Sequence, residues 1–397
     1  MKGSIFESNI DEGLEEKIFT NFEGSTNEQD IKVSIIMPCY NKYELVSLSL
    51  HCLLKQSFNP SWFELILIDD CSDDQTPNIP NEIDPPFRFK YIRPAKNMGR
   101  SCARNLGLFH ALGEVIIFLD AEMLTEPEFV ENHYKHHAIN QNVVVCGAMH
   151  NRRIYTYLMN PFDKQMLFPL ITERAIDNNL FKYVSFPDWY GLKVLNEGVS
   201  HFGNDLTDFS LPYIAFLSGN VSVRKNQLEK TGFFDESFKG WGSEDWELGY
   251  RLYKNGARFI LDPSTFCYHQ EHPASLNNFP EAMENLCKFI NKFPNIDVLG
   301  LALKYTSGLS FYQIHLVITE YNELCSKYPN EFQEFKETFK VLLLKAVENL
   351  KDRKLFATLY NKDKDKEFSD QELKKQLEDV KAERWDDLAN AFEDLYY

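Results

Sequence analysis

Short, continuously apolar runs alternate with helical patterns through the first part of the chain. The predicted strands, in which β-branched residues are frequent, are 33–40, 63–70, 89–94, 115–120 and 143–149. Apolar residues recur at helical spacing between some of them, at 43–56 and 101–113. Strands that are apolar on both faces and alternate with helices form mainly parallel sheets. The pattern therefore predicts an α/β fold with helices flanking the sheet.

The pattern changes along the 397 residues, and the changes predict three regions. We predict a weakly patterned lead-in at 1–31, an α/β domain at 32–275 and a helical C-terminal region at 276–397. Segment 150–213 is irregular and rich in aromatic residues, so we expect an insertion that lines one side of a functional site. The amphipathic faces after residue 276 can bind an acceptor or form a homodimer.

Charge and cysteine usage exclude several classes of function. The net charge of −17 leaves no basic field for phosphates, so we expect no nucleic-acid partner. The 8 cysteines are spread singly, which is typical of free thiols in a reducing compartment. No apolar window approaches about 18 residues, and the first residues lack a signal-peptide pattern. We therefore expect a cytoplasmic protein without a transmembrane segment.

Polar residues follow the predicted strands at their carboxyl ends, where open α/β sheets bind ligands. The first strand ends in Pro38, Tyr40 and Asn41, and the second ends at Asp70. A carboxylate there can accept the N3–H of uracil, and a tyrosine ring can lie against the face of a base. Each residue alone would be an ordinary turn signal, because Asp, Asn and Ser favour turns.

Two acidic elements point to further chemistry. Asp120-Ala121-Glu122 follows an apolar strand, and carboxylates so spaced can bind Mg²⁺ or Mn²⁺, although a surface turn is the alternative. Glu244 and Asp245 follow Gly-Trp-Gly-Ser, in which the ring of Trp241 can cover or stack on a sugar. Acids in the first turn of a helix also complement its dipole without any further role.

Two further motifs have both a functional and a structural interpretation. Gly219 allows close backbone approach and Asn220 can bond sugar hydroxyls, although a glycine in a strand can also mark a bulge. His133, His136 and His137 lie in a charged helical pattern and no nearby acidic motif completes a site, so we predict that they lie on a solvated face.

These motifs, in this order, resemble glycosyltransferases over roughly residues 32–275. The strand ends at 38–41 and 69–74, with NMGRSCARNLGL (97–108), resemble the N-terminal half of the GT-A glycosyltransferases of family 2. GWGSED (240–245) resembles the Trp-Gly-x-Glu-Asp element of the galactosyltransferase and GalNAc-transferase type. The resemblance implies a GT-A fold and transfer of a sugar from a UDP-sugar.

The resemblance also implies roles for single residues. The residues near the donor would be Asp70 at the uracil, Arg100 at the diphosphate, and Arg104 and Asn105 beside them. The metal ligands would be Asp120, Glu122, where the family has Asp, and His269, with His272 as the alternative to His269. Asp245 would be the catalytic base and Glu244 would orient the acceptor, and these two roles can be exchanged.

The resulting hypothesis is an inverting, metal-dependent transferase whose acceptor is a peptide or an oligosaccharide, with a lipid-linked sugar still open. A sugar-nucleotide pyrophosphorylase would need a Gly-rich loop where MPCYNK (37–42) stands. A Rossmann dehydrogenase would need G-x-G-x-x-G after a strand. A non-catalytic carbohydrate-binding protein on the same scaffold remains as the alternative, and retention of both acidic elements argues against it.

Overall fold

The computed structural model describes residues 17–20, 30–147, 152–159, 166–178, 185–187, 200–272, 277–351 and 371–396. The chain divides into two compact units. The first unit comprises Met1–Lys193, Tyr213–Gly240 and Asp245–Ser275. The second comprises Val194–Pro212, Trp241–Glu244 and Leu276–Tyr397, so it includes two short segments that precede residue 276.

The strands of the described residues all belong to the first unit. They are β1 (Lys17–Thr20), β2 (Val33–Cys39), β3 (Phe63–Asp69), β4 (Arg88–Arg93), β5 (Val115–Leu119), β6 (Met123–Thr125), β7 (Val143–Gly147), β8 (Arg152–Ile154), β9 (Tyr157–Met159), β10 (Met166–Pro169), β11 (Phe186–Pro187), β12 (Asn220–Arg224), β13 (Arg258–Asp262) and β14 (Cys267–Gln270).

The helices begin in the first unit and continue through the second. They are α1 (Tyr43–Leu53), α2 (Arg100–His110), α3 (Phe129–Ile139), α4 (Glu173–Asp177), α5 (Lys225–Thr231), α6 (Glu244–Lys254), α7 (Asn278–Lys292), α8 (Ile296–Leu299), α9 (Ala302–Thr306), α10 (Phe311–Lys327), α11 (Gln333–Lys351), α12 (Gln371–Ala382) and α13 (Asp386–Tyr396). None of these helices combines the length and the apolar character that a membrane crossing needs.

The main sheet has eight strands in the order β1-β4-β3-β2-β5-β12-β7-β13. Strands β2 to β5 pair in parallel, and so do β7 and β13. Strand β12 runs antiparallel between β5 and β7, and β1 pairs antiparallel with β4 at one edge. The predicted α/β fold with a mainly parallel sheet is therefore confirmed. The predicted strand at 143–149 ends at Gly147, and its last two residues lie outside the described range.

Helices cover both faces of this sheet. On one face, Ile35 of β2 belongs to a buried cluster with Val46 of α1 and Phe129 of α3. On the other face, α2 approaches so closely that a Cβ on Gly107 would lie 2.5 Å from Cγ2 of Ile36. The α/β order predicted from sequence therefore positions the carboxyl ends of the strands between two helical layers.

A smaller sheet has the order β11-β8-β14-β6. Its pairing of β6 with β14 is antiparallel and sets His269 opposite Met123. This sheet includes part of the predicted insertion at 150–213. The string NPFDK (160–164) lies outside the described residues, as does most of SFPDWYG (185–191).

The second unit is helical in its described residues, as predicted for the C-terminal region. Aromatic rings form its core, with Phe335 and Phe392 stacked at 4.6 Å between their centroids. Residues 352–370, which the sequence pattern assigned to the same helical region, lie outside the described ranges.

The prediction of a solvated face at His133 and His137 is wrong. Both side chains are fully buried under β12. Ser222 lies between them, 2.9 Å from Nδ1 of His133 and 2.8 Å from Nε2 of His137. Burial lowers the pKa of His133 to about 4 and that of His137 to about 3, because it disfavours the imidazolium form. Polar side chains of β12 therefore bond both ring nitrogens of His133 and Nε2 of His137, and the sequence of α3 alone does not show that.

Candidate functional site

The loops that follow β2 and β3 are joined by hydrogen bonds. The backbone N–H of Asn41 donates to Oγ of Ser72, at 2.9 Å, and the N–H of Asp73 donates to Oδ1 of Asn41, at 2.8 Å. Asn41 and Cys71 both have left-handed backbone conformations, with φ of 52° and 67°. Such conformations cost energy and are concentrated at functional sites. The exposed ring of Tyr40 is thus carried on a loop with a defined conformation.

Asp70 holds the loop that leads into α2. Its two carboxylate oxygens accept the N–H groups of Met98 and Gly99, at 2.7 and 2.8 Å. Burial raises the pKa of Asp70, and these two N–H donors offset only part of the rise. Each carboxylate oxygen can accept more than one hydrogen bond. Asp70 can therefore hold this loop and still accept the N–H of a nucleobase.

The neighbouring Asp69 has a structural role that the sequence did not indicate. Its side chain is fully buried and accepts the hydroxyl of Tyr91 and the guanidinium of Arg93, both at 2.5 Å. It also accepts the N–H of Ser72, at 2.8 Å. Of the two consecutive acids, the first thus fastens the strand end and the second faces the loop before α2.

Arg104 connects the two acidic elements of the sequence. Its guanidinium lies 3.1 Å from Oδ1 of Asp120 and 3.8 Å from Oδ1 of Asp245. The Arg104 side chain is 3% exposed and its guanidinium lies 5.4 Å from the ring of Phe234. The fold therefore brings together a residue predicted beside the donor, a predicted metal ligand and the predicted base.

Backbone groups of the turn before β12 form hydrogen bonds with both of these acids. The carbonyl of Gly219 accepts the N–H of Asp120, at 3.2 Å. The N–H of Ser218 donates to Oδ2 of Asp245, at 3.1 Å. Gly219 is thus placed beside the acidic cluster, and Ser218 is a site residue that the sequence analysis missed.

Two predicted donor residues have their amides engaged inside the protein. Asn105 pairs with the backbone N–H and carbonyl of Phe234, at 3.0 and 2.9 Å. Asn220 donates to the carbonyl of Thr265, at 2.7 Å, and accepts from Nε2 of His133, at 2.9 Å. Their contacts with a sugar donor stay predictions, whereas their structural contacts are direct.

A second cluster lies around the last residue of the Asp120-Ala121-Glu122 motif. Ligand atoms of Glu122, His269 and His272 all lie within 4.8 Å of one another. The β6–β14 pairing produces this arrangement, since the N–H of Gln270 donates to the carbonyl of Glu122, at 3.0 Å. Both alternatives that the sequence left open, His269 and His272, are therefore present.

Glu122 is buried, and its carboxylate is paired with positively charged and imidazole groups. Nζ of Lys42 lies 2.7 Å from its Oε2, and Nε2 of His272 lies 3.2 Å from its Oε1. Burial alone would raise the pKa of Glu122, but Lys42 and the two histidines, His272 and His269, hold it well below the usual range. Lys42 was missed, although it directly follows Tyr40 and Asn41 in the sequence.

This donor set is suited to a divalent ion. One carboxylate and two imidazoles offer oxygen and nitrogen ligands, and imidazole favours transition metals over Mg²⁺. Of the two predicted ions, Mn²⁺ therefore fits better. Among the described residues, this cluster does not include Asp120, whose carboxylate contacts Arg104.

Trp241 and Glu244 belong to the second unit. The N–H of Trp241 donates to Oε2 of Glu281, at 2.9 Å, and its carbonyl accepts from Nδ2 of Asn285, at 3.3 Å. The tryptophan ring is 43% exposed. Helix α7 thus fixes the backbone of this residue and leaves its ring accessible, a contact for which the sequence carries no signal.

Arg100 and Ala121 complete the predicted set. Arg100 begins α2 and is exposed, next to the loop that Asp70 holds. Ala121 is buried, and its carbonyl accepts from Oγ of Ser49, at 2.7 Å.

Comparison with known proteins shows two family matches. Residues 34–199 match the model described as glycosyl transferase family 2, and residues 199–273 match the model described as the N-terminal domain of galactosyltransferase. The boundary between the two matches, at residue 199, lies between the motifs that resemble family 2 and the GWGSED motif that resembles the galactosyltransferase type.

Curated relatives agree with these matches. An uncharacterized glycosyltransferase, YfnE of Bacillus subtilis, is 31% identical over 291 residues, which cover 69% of this chain and 74% of that protein. Chondroitin synthase of Escherichia coli is 30% identical over 257 residues, which cover 63% of this chain but only 36% of that protein. Among solved structures, S. aureus TarS 1–349 has a TM-score of 0.48 and 17% identity, over 91% of this chain and 90% of that one.

Proposed function

Because this chain belongs to glycosyltransferase family 2, we propose that it transfers a sugar from a UDP-sugar to a hydroxyl or thiol acceptor with the aid of a divalent ion. The observation that carries the proposal is the meeting of Asp120 and Asp245 at the Arg104 guanidinium. Glu122, His269 and His272 supply the ligands for the ion.

The nucleotide end of the donor is assigned to the strand ends of β2 and β3. Asp70 accepts the N3–H of uracil, and the exposed ring of Tyr40 packs against the base. Support comes from the free acceptor capacity of the Asp70 carboxylate and from the hydrogen bonds that join the two loops.

The diphosphate is assigned to the basic residues of α2 and to the metal cluster. A bound Mn²⁺ would stabilise the negative charge that develops on the leaving UDP. Arg100 lies at the exposed start of α2, and the buried Arg104 holds a fixed positive charge beside Asp120. The metal-ligand role of Asp120 stays a prediction, since its carboxylate contacts Arg104.

Asp245 is assigned as the base that removes the acceptor proton. The N–H of Ser218 and the guanidinium of Arg104 both stabilise its negative charge, and an ionised carboxylate is what a general base requires. One base and a single displacement give inversion at the anomeric carbon. Glu244, the preceding residue, is assigned to orient the acceptor, and these two roles can be exchanged.

The acceptor is assigned by class. We favour a peptide or an oligosaccharide, with the second unit supplying acceptor contacts or a homodimer interface. Trp241, held by α7 with its ring exposed, is the residue of this unit best suited to stack on a sugar ring.

The test is a donor screen of the full chain with Mn²⁺, followed by intact-mass analysis of candidate peptides and oligosaccharides. We expect UDP release from one UDP-sugar and a hexose-sized mass increment on one acceptor class. Asp245→Asn should lower transfer by about 10²- to 10⁴-fold while UDP binding stays within a few-fold. Unchanged transfer in this variant would show that Asp245 is not the base.

A further inference from the structure

Lys42 and a divalent ion would compete for the same carboxylate. Nζ of Lys42 lies 2.7 Å from Oε2 of Glu122, whose side chain is 9% exposed. A buried carboxylate needs a positive partner, because an unpaired buried charge is strongly unfavourable. In the structure Lys42 supplies that partner, and an ion coordinated by Glu122, His269 and His272 would share the Glu122 carboxylate with it.

The backbone on both sides of Lys42 is held by hydrogen bonds, so we expect a change of conformation at this residue to be confined to its side chain. Asn41 is bonded to the loop after β3, and the N–H of Tyr43 donates to Oδ2 of Asp74, at 3.0 Å. The carbonyl of Lys42 accepts the first helical hydrogen bond of α1, from Val46 at 2.9 Å. A lysine ammonium sits on a flexible four-carbon stem, so it can leave Glu122 without movement of the loop.

We propose that Lys42 is an internal counter-ion of the metal site, which pairs with Glu122 until a divalent ion binds there. The inference rests on the function proposed above. Lys42 leaves Glu122 when an ion binds there, and its ammonium then lies close to a second positive charge. A nucleoside diphosphate provides the anion with which the displaced ammonium can pair. Lys42 thus weakens binding of the ion alone and couples ion binding to nucleotide binding.

The test measures Mn²⁺ affinity of the full chain by electron paramagnetic resonance, with and without UDP. Lys42→Met should bind Mn²⁺ alone more tightly than the native chain, by on the order of tenfold. The gain in Mn²⁺ affinity that UDP produces should be smaller in this variant. Lys42→Arg keeps the positive charge at Glu122 and should bind Mn²⁺ alone no more tightly than the native chain does. Lys135→Met removes the same charge from a 46% exposed side chain and should leave Mn²⁺ affinity unchanged.

The outcomes separate this inference from the proposed function. If Glu122→Gln binds Mn²⁺ as well as the native chain does, or the native chain binds none, the metal site is wrong and the Lys42 inference fails with it. If Mn²⁺ binding needs Glu122 but Lys42→Met binds no more tightly than the native chain, only the Lys42 inference fails. If Lys42→Met binds Mn²⁺ more tightly but UDP raises its Mn²⁺ affinity as much as it does in the native chain, the coupling between ion and nucleotide binding is wrong. Thermal unfolding of each variant identifies any loss of fold. If Lys42→Met does not fold, Mn²⁺ binding by Lys42→Arg provides a second measurement.

Discussion

Asp120 and Glu122 stand two residues apart at the end of one strand, yet the fold gives them different counter-charges. Asp120 contacts Arg104, whose guanidinium is buried against Phe234 and is shared with Asp245. Glu122 contacts Lys42 and His272, and a ligand atom of His269 lies within 4.8 Å of the Glu122 carboxylate. Arginine is a planar, permanently charged group that fixes geometry, whereas lysine is a mobile point charge. The first cluster is therefore built to stay in place and the second to exchange its cation.

Removal of the buried guanidinium of Arg104 should have the largest effect on activity and stability. Arg104→Met leaves Asp120 and Asp245 without their common partner. We expect a loss of about 10³-fold in kcat/KM, together with about 3 kcal/mol in the free energy of unfolding. Urea denaturation and initial rates measure the two effects. Arg100→Met, an exposed arginine on the same helix, is the stability control. Native activity in Arg104→Lys would contradict the requirement for a fixed planar charge.

The second prediction separates the two acids as metal ligands. Glu122→Gln should weaken Mn²⁺ binding by about 100-fold, because even changes outside the ligand shell cost 10- to 100-fold. Asp120→Asn should weaken it by no more than about tenfold, since Asp120 contacts Arg104 instead. Titration calorimetry with Mn²⁺ measures both variants. Equal losses would show that Asp120 is a ligand as well and that the ion lies between the two residues.

The third prediction concerns the neutral histidines behind the Asp120 cluster. His133 bonds Asn220, which directly follows Gly219, the acceptor of the Asp120 N–H. The pKa of His133 is about 4 in the folded chain against 6.5 when unfolded, so protonation favours unfolding. Its contribution is fully present above about pH 6.5 and declines as the pH falls towards 4, by about 3 kcal/mol.

Urea denaturation at a series of pH values measures this dependence. His133→Asn should show a shallower fall in stability between pH 6.5 and 4 than the native chain, because it lacks one of the buried groups that titrate there. His201→Asn changes an exposed histidine and should keep the native slope. A slope in His133→Asn equal to that of the native chain would contradict the assignment.

The smallest effect is expected at Trp241. Glu281→Ala removes the acceptor of the Trp241 N–H and should cost at most about 1 kcal/mol of stability, since the bond is exposed. We expect a change of a few-fold in KM for the acceptor with little change in UDP affinity. Glu284→Ala, an exposed acid on the same helix, is the matched control. Equal kinetics in the two variants would remove Trp241 from the acceptor-binding residues.

Some features of the site were predictable because they depend on local pattern. Asp70 and Asp120 stand where an apolar strand ends, and parallel strands bring such ends to one edge of a sheet. His269 and His272 were predicted as alternative metal ligands because the resemblance to GT-A glycosyltransferases implies a histidine in this segment. Lys42 was overlooked, since nothing in the local pattern distinguishes a lysine before a helix from a solvated one.

The histidines of α3 show the limit of such local reasoning. His133 and His137 have charged neighbours in sequence, which favoured a solvated face. Their partners Ser222 and Asn220 lie on a strand about 85 residues later in the chain. A polar partner inside a core is a tertiary property, and only its presence makes burial of the imidazoles acceptable.

The amino-acid sequence by itself determined the fold class, the family and the strand-end acids, because hydrophobic periodicity and short motifs are local. Only the tertiary structure decided which charge neutralises which acid. Strand β12 enters antiparallel between β5 and β7, and its leading turn places Ser218 and Gly219 against Asp245 and Asp120. The pairing of β6 with β14 then brings two histidines to Glu122, while Lys42 reaches it from the start of α1. An ion pair needs two charged groups within a few ångströms of each other. Residues far apart in sequence reach such distances only when the chain packs.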